Sequence, residues 1–372
     1  VSRELIVLSL EAWDEVWRRN QYLIDGLLRG DPTLRVLFVE PSNDVLHSAL
    51  SGRGIRRGTG LRSAAGYEGR LSLFQPDKVF PRVLGPMADA FLHRAVRHVA
   101  RRLGFESPVV WINDPGWAGL ARGTGWPSIY DMTDDWLAAD RPARELRRIS
   151  RNEDTLMDRC EAVVVCSEGL RETRRLRREV VLIPNAVDVR RYRDRSARPD
   201  DLPDRAAVYV GTLHEDRLDV DLVLATADEA ISAGGRVALV GPSALSAANT
   251  ARLTAHPGVA MLGSRPYTAV PAYLQHAAAL IVPHVVNDFT DSLDPLKLYE
   301  YLAVGRPIVS TPVAGFRSLA ADEVIIAEGR EFPEVVSATV REDLPTTFAP
   351  GVPDWADRVA AFSDVLAPLW RR

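Results

Sequence analysis

Residues 287–311 read NDFTDSLDPLKLYEYLAVGRPIVST, and two of them could act on a nucleotide. Pro295 suits the first turn of a helix and Gly305 its end, so the segment predicts a loop, a short helix and a strand. A helix N-terminus presents unpaired amide N–H groups and about half a positive charge, which suits a phosphate. Lys297 falls in that first turn, where a cation is disfavoured unless an anion answers both charges. One turn on, Glu300 could accept two hydroxyl hydrogens from a ribose. A solvated i,i+3 ion pair is the alternative reading of the same two residues.

Other polar groups gather where strands are predicted to end. The segment Tyr130 to Trp136 (YDMTDDW) holds Asp131, Asp134 and Asp135, which could orient or deprotonate a hydroxyl, or cap the next helix. Trp111, Asn113 and Asp114 carry the same ambiguity. Trp13, Trp17, Arg18, Arg19 and Gln21 follow the first strand, where the tryptophans could stack on a sugar or fill the core.

The elements that must position these residues alternate short apolar runs with helical periodicity, the pattern of parallel α/β architecture. Strands are expected at Leu5 to Leu8, Val36 to Val39, Val109 to Ile112, Ser128 to Tyr130, Ala162 to Val165 and Val180 to Ile183, with helices near 86–103 and 141–159. Residues 187–205 are polar and contain proline without periodicity, as a linker between domains would. Strands then resume at Ala207 to Val210, Val237 to Val240, Val259 to Leu262, Leu280 to Val282, Ile308 to Ser310 and Val324 to Ile326. The expected organisation is a Rossmann-like domain over 1–190, a second over 203–352, and a C-terminal helix in 353–372 that packs back on the first. Two such doubly wound domains facing one another bind ligands at the C-terminal ends of their strands.

Composition narrows the chemistry. With 372 residues, 46% hydrophobic and 26% charged, the chain is long enough for two ordinary domains and is neither disordered nor fibrous. The charge is +3 over residues 1–187 (28 basic, 25 acidic) and −7 beyond (18 basic, 25 acidic), too mild for a nucleic-acid binder. Only two of the 46 basic residues are lysine, Lys78 and Lys297. Cys160 and Cys166 and the seven scattered histidines form no metal-ligand or disulfide pattern, so no metal is expected. No GxGxxG follows a predicted strand and no GxxxxGK[ST] occurs, which removes the dinucleotide and P-loop readings. No apolar run reaches the length of a membrane span, and the expected location is cytoplasmic.

The words PLKLYEYLAVGRPIVST resemble the donor-site segment of GT-B glycosyltransferases of the family 4 type, found in bacterial polysaccharide and natural-product assembly. In that family the helix binds the diphosphate and ribose of a nucleotide-sugar, and the final carboxylate of an E-x7-E motif holds the ribose. Glu300 matches that carboxylate, whereas Ser292 replaces the first glutamate, with Asp291 and Asp294 nearby. Tyr209 to Asp221 (YVGTLHEDRLDVD) resembles the first strand and loop of the family's C-terminal domain, with Arg217 as the matching cation. Gly241 and the stretch Gly263 to Tyr267 resemble further donor loops, the second receiving the base, and Ile183 to Asp188 resembles the close of the N-terminal domain.

The resemblance implies a GT-B fold and a glycosyltransferase that moves a sugar from a nucleoside diphosphate to an acceptor hydroxyl, with retained stereochemistry and no metal or other cofactor. The implied donor site comprises Gly211, Thr212, Arg217, Gly241, Arg265, Tyr267, Asn287, Thr290, Lys297, Leu298 and Glu300. Lys297 and Arg217 act on the departing diphosphate, and Asp134 and Asp114 on the acceptor. The acceptor would be a glycan, a lipid-linked glycan or a small molecule. The arginine-rich stretch Arg171 to Arg178 could dock a membrane surface, at the inner face of the cell membrane, or form a solvated helix face. Two other functions share the scaffold: a catalytically silent GT-B partner protein and a nucleotide-sugar epimerase.

Overall fold

The computed structural model describes residues 2–44, 58–78, 85–138, 141–287, 290, 294–319, 324–342 and 344–371. The chain divides into two compact units, one of residues 1–184 and 356–372, the other of residues 185–355.

The first unit is built on strands β1 (Arg3–Leu8), β2 (Leu34–Val39), β3 (Gly60–Ser63), β4 (Leu71–Gln75), β5 (Val109–Ile112), β6 (Ser128–Met132), β7 (Ala162–Val165) and β8 (Val181–Leu182). They pair in the order β8-β7-β6-β5-β1-β2-β4-β3, with β3 the one antiparallel member. Continuous apolar runs such as Leu5 to Leu8 and Val109 to Ile112 are buried, as strands covered on both faces require. Its helices include α1 (Arg19–Gly30), α2 (Gly85–Arg102), α3 (Ala118–Thr124), α4 (Ala143–Arg159) and α5 (Glu168–Arg174). The hairpin of β3 and β4 was not expected from sequence, although Leu71, Leu73 and the polar Ser72 between them alternate as a strand should.

The second unit starts at Asn185, and the stretch expected to be a linker folds into it. Within that stretch α6 (Val189–Arg193) is capped by Asp188 and buries Tyr192 completely. The unit's sheet is formed by β9 (Ala206–Val210), β11 (Arg236–Val240), β13 (Val259–Gly263), β14 (Ala279–Val282), β15 (Ile308–Ser310) and β16 (Ile325–Ile326), with the two-residue pair β10 (Leu213–His214) and β12 (Ser243–Ala244) set apart. The order β13-β11-β9-β14-β15-β16 is parallel throughout and places β9 inside the sheet, the doubly wound arrangement. Its helices are α7 (Val220–Ser232), α8 (Ala247–Ala255), α9 (Val270–Gln275), α10 (Leu296–Val304) and α11 (Glu331–Glu342).

A last helix, α12 (Trp355–Leu366), belongs from Ala356 onward to the first unit. There Phe362 stacks on Trp111 at 4.4 Å, and Trp370 donates from Nε1 to the Glu4 carbonyl at 3.2 Å. Gly26 of α1 makes this packing close, since a Cβ on it would lie 2.3 Å from Val359 Cγ2. The two units meet at 184/185 and 355/356, the first before the expected limit at 190 and the second after the expected limit at 352.

Candidate functional site

In the second unit three strands end in glycines with left-handed backbone: Gly211 after β9 (φ 142°), Gly241 after β11 (φ 146°) and Gly263 at the end of β13 (φ 71°). Gly211 N–H donates to Val240 O and Gly241 N–H to Gly263 O, both at 2.9 Å. A Cβ on Gly241 would sit 2.1 Å from Gly211 O, so the first two turns can nest only without side chains. Thr212 follows, half-buried.

Helix α10 starts beside this nest. Pro295 stands at its N-cap without a side-chain capping bond, and Gly305 ends it in left-handed backbone. Half-buried Lys297 donates from Nζ to Tyr209 Oη at 2.8 Å, and its ammonium lies 4.0 Å from the centre of that ring. A Cβ on Gly211 would approach Nζ to 3.1 Å, so the glycine leaves the ammonium uncovered on that side. Burial pushes the lysine down to about 7; the Arg217 charge acts in the same direction, and Glu300 opposes both.

Arg217 is fixed through its backbone, donating to His214 O at 3.3 Å and accepting from Val285 N–H at 2.8 Å. Its charge reaches beyond Lys297. His284 is held well below the usual histidine range by burial, then by Lys297 and Arg217; His214 is lowered by burial and then by Arg217. Cations that suppress one another's protonation beside the start of a helix make a site that favours an anion. Glu300 accepts from Tyr192 Oη at 2.6 Å. Burial raises its carboxyl, offset by that hydrogen bond and by Lys297 and Arg191.

The remaining donor-side candidates divide. Tyr267 stands near Glu300, with its hydroxyl 3.5 Å from Tyr192 Oη and Arg191 over its ring at 4.0 Å. Arg265 is tied elsewhere, to Tyr273 Oη at 2.7 Å and to Asp201, so its side chain is engaged in this unit's own structure. Asn287 and Thr290 exchange backbone-to-side-chain bonds of 2.9 Å and so fix their own turn. Leu298 is buried and packs toward Gly315. Asp294 accepts from Asn185 N–H at 2.5 Å and Tyr299 Oη at 2.7 Å, a structural task. Asp291 and Ser292 lie outside the described residues.

In the first unit the carboxylate cluster separates by depth. Strand β6 runs to Met132 and so carries Asp131 into the sheet. There Asp131 is fully buried and accepts from Arg19 at 3.1 and 3.2 Å, Trp111 Nε1 at 3.2 Å and Asn113 Nδ2 at 3.1 Å. Asp135 receives a bidentate pair from Arg174 at 2.8 and 3.0 Å. Asp134 remains half-buried beyond the strand, accepts from Thr133 Oγ1 at 3.0 Å, and is one of the charges that raise Glu11. Burial above all, against the pull of Arg18, pushes Glu11 up to about 7. Asp114 caps the turn Pro115–Trp117 by accepting from Gly116 N–H at 2.7 Å, and burial raises its carboxyl.

Trp13 packs edge-on against Phe38 at 5.1 Å, and Gln21 Oε1 accepts from Arg18 N–H at 3.1 Å at the start of α1. Within Arg171 to Arg178, Arg171 pairs with Glu168, Arg174 with Asp135 and Glu153, Arg177 with Asp154 and Asp158, and Arg178 donates to the carbonyls of Met157 and Cys160. Most of that stretch is thereby engaged within its own unit.

Four residues near the charged site were not singled out from sequence: Tyr192, Tyr209, His214 and His284. Tyr209 reads as an ordinary strand residue, and the histidines carry no motif. Tyr192 lies among arginines in the stretch expected to be a linker, where a single buried aromatic leaves no period. Among the described residues, no group of three or more His, Cys, Asp or Glu could hold a metal ion, and no helix is long and apolar enough to cross a membrane.

Residues 204–342 match the family described as Glycosyl transferases group 1. TuaH of Bacillus subtilis (strain 168), a proposed teichuronic acid biosynthesis glycosyltransferase, is 25% identical over 217 residues, which are 54% of this chain. The chain spans 55% of that relative's length. Sucrose-phosphate synthase from Thermosynechococcus elongatus superposes with a TM-score of 0.65 at 15% identity, covering 99% of each chain. HepE of Anabaena in complex with UDP and glucose superposes with a TM-score of 0.65 at 12% identity, covering 98% of this chain and all of the other. The fold is GT-B, and the match to the glycosyl transferases group 1 family falls within its second unit.

Proposed function

We propose that the chain transfers a sugar from a nucleoside diphosphate to an acceptor hydroxyl, and that its second unit holds the donor. The observation that carries this reading is Lys297 at the glycine turn of Gly211, close enough to Arg217 to feel its charge. Breaking the sugar–phosphate bond places negative charge on the departing diphosphate. Preorganised cations and helix N–H groups stabilise that charge more in the transition state than in the bound donor. Glu300 serves the ribose: Tyr192 occupies Oε1 and holds the carboxylate in place. UDP is the first nucleotide to try, because HepE was solved with UDP and glucose. The TuaH relative favours a glycan acceptor.

On the acceptor side we assign Asp134, together with Glu11, to orient the hydroxyl; Asp114, as a cap, has the weaker claim. In a retaining transfer the leaving phosphate takes up the acceptor's proton, so no side chain has to be a strong base.

Two outcomes follow for nucleotide binding. Glu300→Ala raises the Kd for the preferred nucleoside diphosphate about 10- to 100-fold, the effect of losing hydrogen bonds to a charged group, as calorimetry would register. Binding also weakens with alkalinity. The anion binds the ammonium form of Lys297, which is retained below pH 7 and lost above it in the free protein. Affinity should therefore be level below pH 7 and fall by roughly tenfold per pH unit above pH 8, until the raised pKa of the complex is reached.

The activity itself is tested without an acceptor, since a transferase donor site slowly passes its sugar to water. Incubation with UDP-glucose, UDP-galactose, GDP-mannose and dTDP-glucose should release the free nucleotide from one of them. A protein that binds UDP yet leaves every donor intact would instead be a silent member of the fold, and interconversion of UDP-glucose and UDP-galactose would mark an epimerase.

A further inference from the structure

Lys297 is one corner of a triangle of polar atoms. Its Nζ lies 2.8 Å from Tyr209 Oη and 3.5 Å from His284 Nε2, and Tyr209 Oη is 3.0 Å from the same histidine nitrogen. An ammonium can only donate, so Tyr209 Oη accepts from it, and the tyrosine's own proton is directed to His284 Nε2. That direction requires a neutral imidazole with its proton on Nδ1, and burial with the surrounding positive charges enforces neutrality.

The outer end of the chain is anchored. His284 is buried, and its N–H donates to Thr311 Oγ1 at 3.2 Å, while the Thr311 hydroxyl donates back to His284 O at 2.8 Å. The rings of Tyr209 and His284 meet nearly edge-on at 5.6 Å. The inner end faces the Gly211 turn, on the side a Cβ would cover.

We propose that Tyr209 and His284 are positioning residues of the donor site: a one-way hydrogen-bond chain from Lys297 Nζ through Tyr209 Oη to His284 Nε2 holds the ammonium charged and aimed at the diphosphate. The inference rests on the reading of the second unit as the donor site. Among the described residues no carboxylate lies within ion-pair distance of Lys297, so the chain takes the place such a partner would occupy. The charged and titratable groups around the lysine are His214 from β10, Arg217 after it, Tyr209 from β9, His284 after β14 and Glu300 on α10 itself, the last held by Tyr192 and Arg191. Both histidines are lowered from their ordinary value and so neutral above pH 7, whereas Lys297 changes state between pH 7 and 9. Donor binding in that range should therefore take up a proton.

The test is calorimetry of UDP, GDP, dTDP and ADP against the parent chain at pH 8 in two buffers of different ionisation heat, followed by variants with the nucleotide that binds. Tyr209→Phe keeps the ring and removes one oxygen. It should weaken binding about tenfold at pH 8, steepen the loss of affinity between pH 7 and 8.5, and lower kcat. His284→Leu should do the same, whereas His284→Gln, which restores an acceptor, should stay within about threefold of the parent. Should His284→Leu fail to fold, Tyr209→Phe decides alone. Parent-like affinity, proton uptake and pH profile in a folded Tyr209→Phe would overturn the chain and leave the donor reading standing. A parent that binds none of the four nucleotides would overturn both.

Discussion

Replacing Lys297 by alanine lowers kcat by about 100- to 1,000-fold, the loss seen when one preorganised donor to a developing charge is removed. The change should fall on kcat and kcat/KM together if the ammonium acts chiefly in the transition state. Loss of folding does not explain such a result. Lys297 is a cation that burial disfavours and that has no carboxylate partner among the described residues, so the unliganded fold carries a cost for keeping it charged. Its pKa is lowered from 10.5 to about 7, so the unfolded chain binds the extra proton between those values. Stability due to this group therefore rises with pH across that window. The alanine variant should melt no lower than the parent at pH 7 and show a flatter rise in stability above it. Lys297→Met, which keeps the length of the side chain and removes the charge, should lose turnover to the same extent. Unchanged turnover in either variant would leave Lys297 an ordinary buried lysine.

Asp131→Ala should produce the largest loss of stability in the first unit, about 3–5 kcal/mol, because it leaves the buried Arg19 guanidinium without its carboxylate. Arg19 would keep the Ile183 carbonyl at 2.7 Å and the face of Phe362, and Trp111 Nε1 would lose this acceptor. For a unit of this size the loss corresponds to a melting temperature lower by roughly 10 °C. Nucleoside diphosphate affinity, measured below that transition, should not change, since the residues proposed for the donor site lie in the second unit. A variant that melts within about 1 °C of the parent would show that Asp131 is not the anchor its contacts suggest.

The two aspartates Asp131 and Asp134 show where sequence reasoning stops. The apolar run suggests a strand ending at Tyr130, which would place three carboxylates together beyond it. In the structure β6 continues to Met132, so Asp131 turns into the sheet while Asp134 stays outside. Polar residues at a strand's end resemble those just past it, and only tertiary partners such as Arg19 separate them. The parallel strands were legible because strands covered on both faces must be apolar over their whole length. Helix α10 was legible through Pro295 and Gly305, whose backbone preferences act locally. Lys297 could be singled out because a cation at a helix start is unusual without an anion, with Glu300 one turn on, whereas Arg217 and Gly211 were picked out by their resemblance to the family's donor segments. The Tyr209–His284 pair and Tyr192 could not, since each depends on a partner 75 or 108 residues away.

The donor assignment stands or falls on whether the chain binds a nucleoside diphosphate. Thermal melting with UDP, GDP, dTDP, ADP and CMP, each with magnesium and with a chelator, measures this without a known acceptor. At a hundred times its Kd a ligand adds about 2.7 kcal/mol. That appears as a shift of a few degrees in a protein of this size. One diphosphate should raise the melting temperature equally with and without magnesium, and the shift should vanish in Lys297→Ala/Arg217→Ala. No shift with any of the five nucleotides would show that the charged cluster around Lys297 is not a donor site.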